Sequence, residues 1–476
     1  MKKLGSAKTK LLLPVVAGLI GLAALALWLG RGPGKPLALR IPGTDQAPGS
    51  ELGATGNVVL AGKLIRSDGQ PSALPGSWPQ FRGPNRDGLS HEPCNIARSW
   101  QVSEPRQLWA VDVGEGYAGA AVLHGRVYLM DYDREKKQDA LRCLSLDDGR
   151  ELWRYAYPVS VKRNHGMSRT TPAVTDKLVV AMGPKCHVVC LDPASGELRW
   201  GLDLVRQFKT VIPPWYAGQC PLVDSGAVIL APGGGTNALL VSVDGQTGNI
   251  LWQTPNPRGW KMTHSSVMPM EVAGQRTYVY CADKGVVGVN ATNGAVLWES
   301  TDWKISIANV PSPVLLDNGR IFFSGGYNAG SLMLQVKKEG DRFQATTLFK
   351  LPPEVFGATQ HTPILYDNYL YGVRADERFV CLDLEGKPVW SSGAGQKFGL
   401  GPFLLAEGVI FAMDDSGLLR LIEATPAKYN LLAQAQVLKG RESWGPLALA
   451  GGRLIARDLT RMVCLEVGKN KDQAGK

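Results

Sequence analysis

Acidic residues are missing from the first 40 positions, cysteine is missing before Cys94, and histidine occurs only six times in 476 residues. Each absence excludes something. With no cysteine ahead of Cys94, a lipid-modified N-terminal cysteine is excluded. The acid-free start holds Lys2, Lys3, Lys8, Lys10, Arg31, Lys35 and Arg40, and three further lysines follow Val467. These two ends carry most of the formal net charge of +10, which leaves the body, 78–467, at about +2. A body so close to neutral lacks the broad basic footprint that phosphate backbones need, so nucleic acid is not an expected partner. No glycine-rich phosphate loop stands between a strand and a helix: Ala231-Pro232-Gly233-Gly234-Gly235 interrupts a strand pattern and reads as a loop. No nucleophile-elbow motif occurs either.

One long apolar run is present. Residues 11–30 carry no charge, follow four lysines and precede Arg31 and Lys35. Twenty helical residues span about 30 Å, the thickness of a bilayer core. The lysine tip, 1–10, then stays cytoplasmic and the rest of the chain lies outside. A cleaved signal peptide is the competing reading, with Ala24-Leu25-Ala26 as the cleavage site. The uncleaved anchor is favoured because the run continues through Leu27, Trp28 and Leu29. Residues 31–77, with Pro33, Pro36, Pro42, Pro48, Pro71 and Pro75, read as an unordered tether, and 468–476 as a disordered tail.

The remainder is repetitive. Four segments ending at Trp153, Trp200, Trp252 and Trp298 share one spacing: a short polar residue (Ser145, Asp192, Asp244, Asn290) lies four positions before a glycine and eight before the tryptophan. A fifth, Asp383 to Trp390, is one residue shorter. The polar side chain suits a turn backbone, and the glycine (Gly149, Gly196, Gly248, Gly294, Gly386) suits a positive φ at the reversal. The tryptophan falls on the returning strand, where its face can staple one sheet to the next. A second marker, a proline before an apolar strand, recurs at Pro172, Pro221, Pro269, Pro313, Pro363, Pro402 and Pro446, and a proline-free version surrounds Tyr117. Eight starts at intervals of about 40–50 residues predict an all-β, eight-bladed β-propeller of four-stranded antiparallel blades over 108–467, preceded by a transmembrane helix. Blades 5 and 7 lack the tryptophan; Phe349 is the substitute in blade 5. The last blade runs out of chain after Glu466, and residues 108–113 are predicted to supply its fourth strand and close the ring.

The Asp-x-x-Thr/Ser-Gly-x-x-x-Trp spacing resembles the tryptophan-docking pattern of PQQ-binding-like (quinoprotein) propellers, and the resemblance covers about 78–467. The leader Trp78-Pro79-Gln80-Phe81-Arg82-Gly83-Pro84-Asn85-Arg86-Asp87-Gly88 is similar to an opening on exported bacterial members; by composition, 78–107 reads as a turn-rich strap packed on the ring. The resemblance implies two outcomes. Some members are dehydrogenases holding pyrroloquinoline quinone (PQQ) and Ca²⁺ on the propeller axis. Others, such as the propeller lipoprotein of the outer-membrane barrel-assembly machinery, are cofactor-free scaffolds, and fold alone does not choose.

The enzymes often stack the quinone on two adjacent cysteines, and this chain has no such pair. Cys143, Cys190, Cys381 and Cys464 occupy equivalent strand positions and read as small core residues. Cys186 and Cys190, four apart on one strand, are too distant for a disulfide, and with His187 make a poor metal site. Glu115 and Asn309 are the candidates for Ca²⁺ ligands, but no acid precedes blade 6 or 7 to act as base, so no catalytic residue is assigned. The channel mouth is expected to be ringed by Tyr117, Arg169, Gln219, His264, Asn309, His361, Lys397 and Trp444, with His264 and His361 the two worth mutating. The expected function is a membrane-anchored extracytoplasmic scaffold with envelope-protein partners and no cofactor. A PQQ/Ca²⁺-dependent alcohol or sugar dehydrogenase and a small-ligand or polysaccharide sensor are the alternatives.

Overall fold

A computed structural model describes residues 7–30, 57–100, 104–305 and 307–469. The chain divides into an N-terminal unit, Met1–Asp45, and a second unit, Gln46–Lys476. Within the first, Ala7–Gly30 is an α-helix. Its described side chains, 16–27, are exposed, and among the described residues no helix is long and apolar enough to cross a membrane. The expected span at 11–30 is therefore helical, without being established as a span.

The second unit is an eight-bladed propeller of antiparallel four-stranded blades. Blade 1 comprises Ala121–Leu123, Arg126–Asp133, Gln138–Ser145 and Glu151–Pro158. Six further blades follow in chain order, with innermost strands Ala173–Val174, Leu222–Asp224, Met268–Val272, Val314–Leu315, Ile364–Tyr366 and Phe403–Ala406. Blade 8 takes Ala448–Ala450, Arg453–Arg457 and Arg461–Glu466 from the C-terminus and its outermost strand, Gln107–Asp112, from ahead of blade 1. Trp109 pairs with Cys464 and Ala110 with Val463 across that seam, so both ends of the ring are held in one sheet. The innermost strands of blades 8 and 1 touch, which closes the circle.

The repeat acts between blades. A Cβ added to Gly149 would lie against the indole of Trp109, one on Gly196 against Trp153, one on Gly248 against Trp200 and one on Gly294 against Trp252. Each tryptophan therefore packs flat on the turn glycine of the following blade. These glycines all have φ between 72 and 77°, so a side chain is excluded by conformation as well as by space. The indole Nε1 of Trp109 donates to the Leu146 carbonyl (2.9 Å), that of Trp200 to Gly245 (2.9 Å), that of Trp252 to Ala291 (3.1 Å) and that of Trp390 to Thr425 (2.8 Å). Phe349 substitutes in blade 5: it and Leu351 occupy the space above Gly386. Trp109 is the docking residue of blade 8, a sixth that the repeat count omitted. Behind each tryptophan the cross-strand neighbour is small: Cys143, Cys190, Cys381, Cys464, Ser242 or Gly288. A larger residue there would push the indole off the next blade, which explains the repeated cysteines. All eight cysteines are free. Cys186, expected on the strand with Cys190, lies in the preceding turn at φ 65°, and the strand begins at His187.

Two expected unordered segments are partly built into the ring. Of the tether 31–77, residues 31–56 lie outside the described residues. From Asn57 onward the chain is packed: Lys63–Arg66 adds a fifth strand to blade 1, and Val59 is fully buried over Gly201, where a Cβ would collide with it. Gly468 and Lys469, expected in a free tail, bond through their amides to Gly452 and Asn95 (3.1 and 2.7 Å); the rest of that tail, 470–476, is outside the described residues.

Replacing Trp109 by alanine removes a buried indole, its hydrogen bond and the contact with Gly149 that joins the last blade to the first. The expected cost is about 3–5 kcal/mol, read from the denaturant midpoint, with Trp109→Phe recovering part of it.

Candidate functional site

The strap crosses the propeller axis. Trp78 exchanges two backbone hydrogen bonds with Val122 of blade 1 (both 2.8 Å), and the Pro79 carbonyl accepts from Val174 of blade 2 (2.8 Å). Arg86 donates to the Pro221 and Cys220 carbonyls ahead of the blade 3 strand (3.0 and 3.4 Å). Arg82 donates to Thr362 and Pro363 ahead of blade 6 (2.6 and 2.9 Å). Leu89–Ser90 then runs parallel to Leu405 and Ala406 of blade 7. A stretch that bonds blades 3 and 7, on opposite sides of an eight-membered ring, must pass over the channel. Arg82 and Arg86 are almost wholly buried, at 9% and 1% exposure. Burial lowers both guanidinium pKa values to about 10. Neither arginine was singled out in the sequence, because an arginine in a turn-rich leader gives no sign that its partners are carbonyls 135 and 280 residues away.

The channel becomes a blind cup of about 330 Å³, floored by Trp78, Phe81 and Arg82 of the strap. Of the residues expected at the mouth, Tyr117, Arg169, His264, His361 and Trp444 line the cup, together with Trp215, His165 and Tyr327. Tyr117 and Trp444 form one wall, ring centroids 5.2 Å apart. The Arg169 guanidinium lies over the other side of Tyr117, 4.9 Å from the ring centre. The Tyr117 hydroxyl donates to Glu442 and accepts from the Gly166 amide. Trp444 Nε1 donates to Asp415 (2.7 Å), which also accepts from the Leu400 amide (2.6 Å) and so fixes the indole. Burial and the bond to Glu442 both push the Tyr117 hydroxyl above its ordinary pKa.

Gln219, Asn309 and Lys397 are not cup residues. Gln219 is fully buried and clips the backbone of Ala231 through both ends of its amide (2.8 and 3.3 Å). Asn309 is 1% exposed, its Nδ2 donating to Ala282 and its carbonyl accepting from His264 and Ser265. Lys397 points to solvent in an ion pair with Glu377 (2.9 Å). For Gln219 and Asn309 the polar group is taken by backbone at the end of a second strand, Ala231 and Ala282, and for Lys397 by an acid at the surface. Trp215 and Tyr327 were missed because they sit in inter-strand segments, outside the repeat.

Two of the three histidines that line the cup, His264 and His361, are held uncharged by burial. His361 stacks on Phe403 (5.7 Å between centroids), is 7% exposed, and has both ring nitrogens buried without a well-formed hydrogen bond. Burial pushes its pKa down to about 4, outweighing the backbone of Leu400 and Gly401. His264 is pushed down in the same direction by desolvation and by the charge of Arg169. Ca²⁺ and a quinone do not fit this donor set. Ca²⁺ takes six to eight oxygen ligands, yet no carboxylate lines the cup. Glu115 is held by Arg163 (2.6 Å), and Asn309 does not line the cup. Among the described residues no group of three or more His, Cys, Asp or Glu is placed to hold a metal.

A family model described as outer membrane protein assembly factor BamB matches residues 99–210 and 137–392. The chain belongs to this PQQ-like β-propeller family. Structures similar to it include BamB from Moraxella catarrhalis, at 14% identity and a TM-score of 0.53 over 76% of this chain and 100% of that one. A europium-containing methanol dehydrogenase is similar at 12% identity and a TM-score of 0.59 over 82% and 89%. Both likenesses are of fold. No curated protein sequence matches the chain significantly.

Because His361 has a lower pKa folded than unfolded, the unfolded chain binds the extra proton first as pH falls. Its contribution to stability is complete above about pH 6.5 and is lost progressively toward its folded value of about 4. His361→Leu is therefore expected to lose less stability than the wild type between pH 7.5 and 5, as read from urea midpoints at the two pH values.

Proposed function

We propose that this chain is a membrane-anchored, extracytoplasmic propeller acting as a non-enzymatic interaction scaffold in the cell envelope. The observation that carries the reading is the state of the channel. It is crossed by the strap and lined by no carboxylate, so it does not offer the hard oxygen ligands of a quinoprotein's Ca²⁺. Membership of a family described by an outer-membrane assembly factor supports an envelope role. The uncharged run 11–30, with four lysines before it, supports an anchor that leaves the propeller outside. Contact area is available on the outermost strands of blades 3, 4 and 6, where Leu251, Val296 and Val389 are exposed. With the body of the chain near neutral, partner selection rests on shape and apolar contact.

The dehydrogenase reading makes the opposite demand on the same channel, so one pair of measurements separates them. Purified protein given PQQ and Ca²⁺ is expected to show no bound quinone absorbance and no dye-linked oxidation of alcohols or sugars. Crosslinking in intact cells followed by purification is expected to recover envelope proteins above background. Quinone-dependent turnover, or purification of the propeller alone under several growth conditions, overturns the scaffold reading.

A further inference from the structure

The cup is positive and its lining holds no counter-charge. Arg82 and Arg169 both contribute to the wall, Arg86 lies behind the floor, and aspartate and glutamate are absent from the lining. Arg82 spends its N–H groups on backbone carbonyls, and Arg86 bonds the Pro221 and Cys220 carbonyls and the Gln80 side chain with its Nε left unpaired. Arg169 is less completely used. One terminal nitrogen donates to the Asn164 carbonyl at 3.3 Å, and its Nε is buried with no hydrogen-bond partner. Glu442, whose charge reaches Arg169, is already bonded to the Tyr117 hydroxyl. Burial depresses Arg169 to about 10, as it does the two strap arginines, with Glu442 offsetting part of the shift at Arg169 and Asp87 part of it at Arg82. The rest of the cup is flat and apolar: Tyr117 beside Trp444 on one side, and Phe403 beneath the uncharged ring of His361 on the other.

We propose that the cup binds a small organic monocarboxylate with a flat apolar body, the carboxylate on Arg169 and the body between the aromatic walls. Guanidinium is the side chain best matched to a carboxylate, because it presents two N–H groups in one plane. A volume of about 330 Å³ is at the small end of ligand pockets and suits a single-ring acid. The site is independent of the scaffold reading, since a ligand in the cup leaves the outer strands free.

Benzoate and its neutral isostere benzamide test the proposal by titration calorimetry on the full chain in detergent. Quenching of tryptophan fluorescence serves as a second readout, because Trp215 and Trp444 line the cup. Benzoate is expected to saturate at one site and to bind about tenfold to a hundredfold more tightly than benzamide, the difference carried by one charged hydrogen-bonded contact. Arg169→Gln is expected to abolish the preference for the anion, Arg169→Lys to keep part of it, and Trp444→Leu to weaken both ligands alike. The preference should stay flat from about pH 8 to 9, a window in which Arg169 remains charged and which lies well above the ordinary histidine range. Absence of saturable benzoate binding, equal affinity for the two ligands, or an undiminished preference in a folded Arg169→Gln protein overturns the proposal. The comparison of benzoate with benzamide on the wild-type chain needs no variant, so it decides even where Arg169→Gln fails to fold.

Discussion

Four of the eight seams of the ring are held by an indole lying on a turn glycine of the next blade. A four-stranded blade has two apolar faces and cannot bury either alone, so each needs its neighbour. The tryptophan supplies the largest apolar surface of any residue, and its Nε1 adds a directional bond to the neighbour's turn carbonyl at Leu146, Gly245, Ala291 and Thr425. The receiving turn must present a bare backbone with positive φ, which only glycine does without strain. The opposite face of the indole must meet something small, hence cysteine, serine or glycine across the strand. One contact thus constrains three positions per repeat. Where Phe349 replaces it, a second side chain, Leu351, is recruited to cover the glycine.

That chain of constraints explains what was legible in the sequence. Positions that serve the blade-to-blade contact repeat because the contact repeats, so the blade number, the turn glycines and the strand that closes the ring could all be read from spacing. Trp109 escaped the count for the same reason. It lies ahead of blade 1 in sequence but belongs to blade 8, so no polar residue and turn glycine precede it at the repeat spacing. The cup was legible only in part. Tyr117, Arg169, His264, His361 and Trp444 share a repeat position and were found by it. Trp215, Tyr327, Arg82 and Arg86 come from loops and the leader, where nothing periodic marks them.

The leader also changes the meaning of the channel. A propeller stapled only at its rim leaves an open hole on the axis, and the narrowness of that hole depends on the side chains around it. Here two arginines reach from one strap to carbonyls on opposite sides of the ring. Carbonyls just before an inner strand have no sheet partner, so left alone they would be buried acceptors without donors. The strap's guanidinium groups satisfy them, and their length lets one backbone segment bridge the full width. The cross-tie and the floor of the cup are the same object. A channel closed in this way cannot pass a ligand through, and any molecule it holds must enter and leave by one mouth.

Function is most readable where the local rules fail. Buried polar atoms without a hydrogen-bond partner occur across the ring, at the Nε1 of Trp153 and Trp298 and the Nε of Arg86 among others, and the cup adds the ring nitrogens of His361 and the Nε of Arg169 beside arginines with no lining carboxylate. Holding charge and unpaired polar atoms away from water costs stability, and a fold assembled from eight packed blades can tolerate that cost. A dehydrogenase site would need the reverse arrangement, oxygen donors converging on a cation. A lining with arginines and no carboxylate is what favours the scaffold reading, since the shared fold alone does not choose between the two.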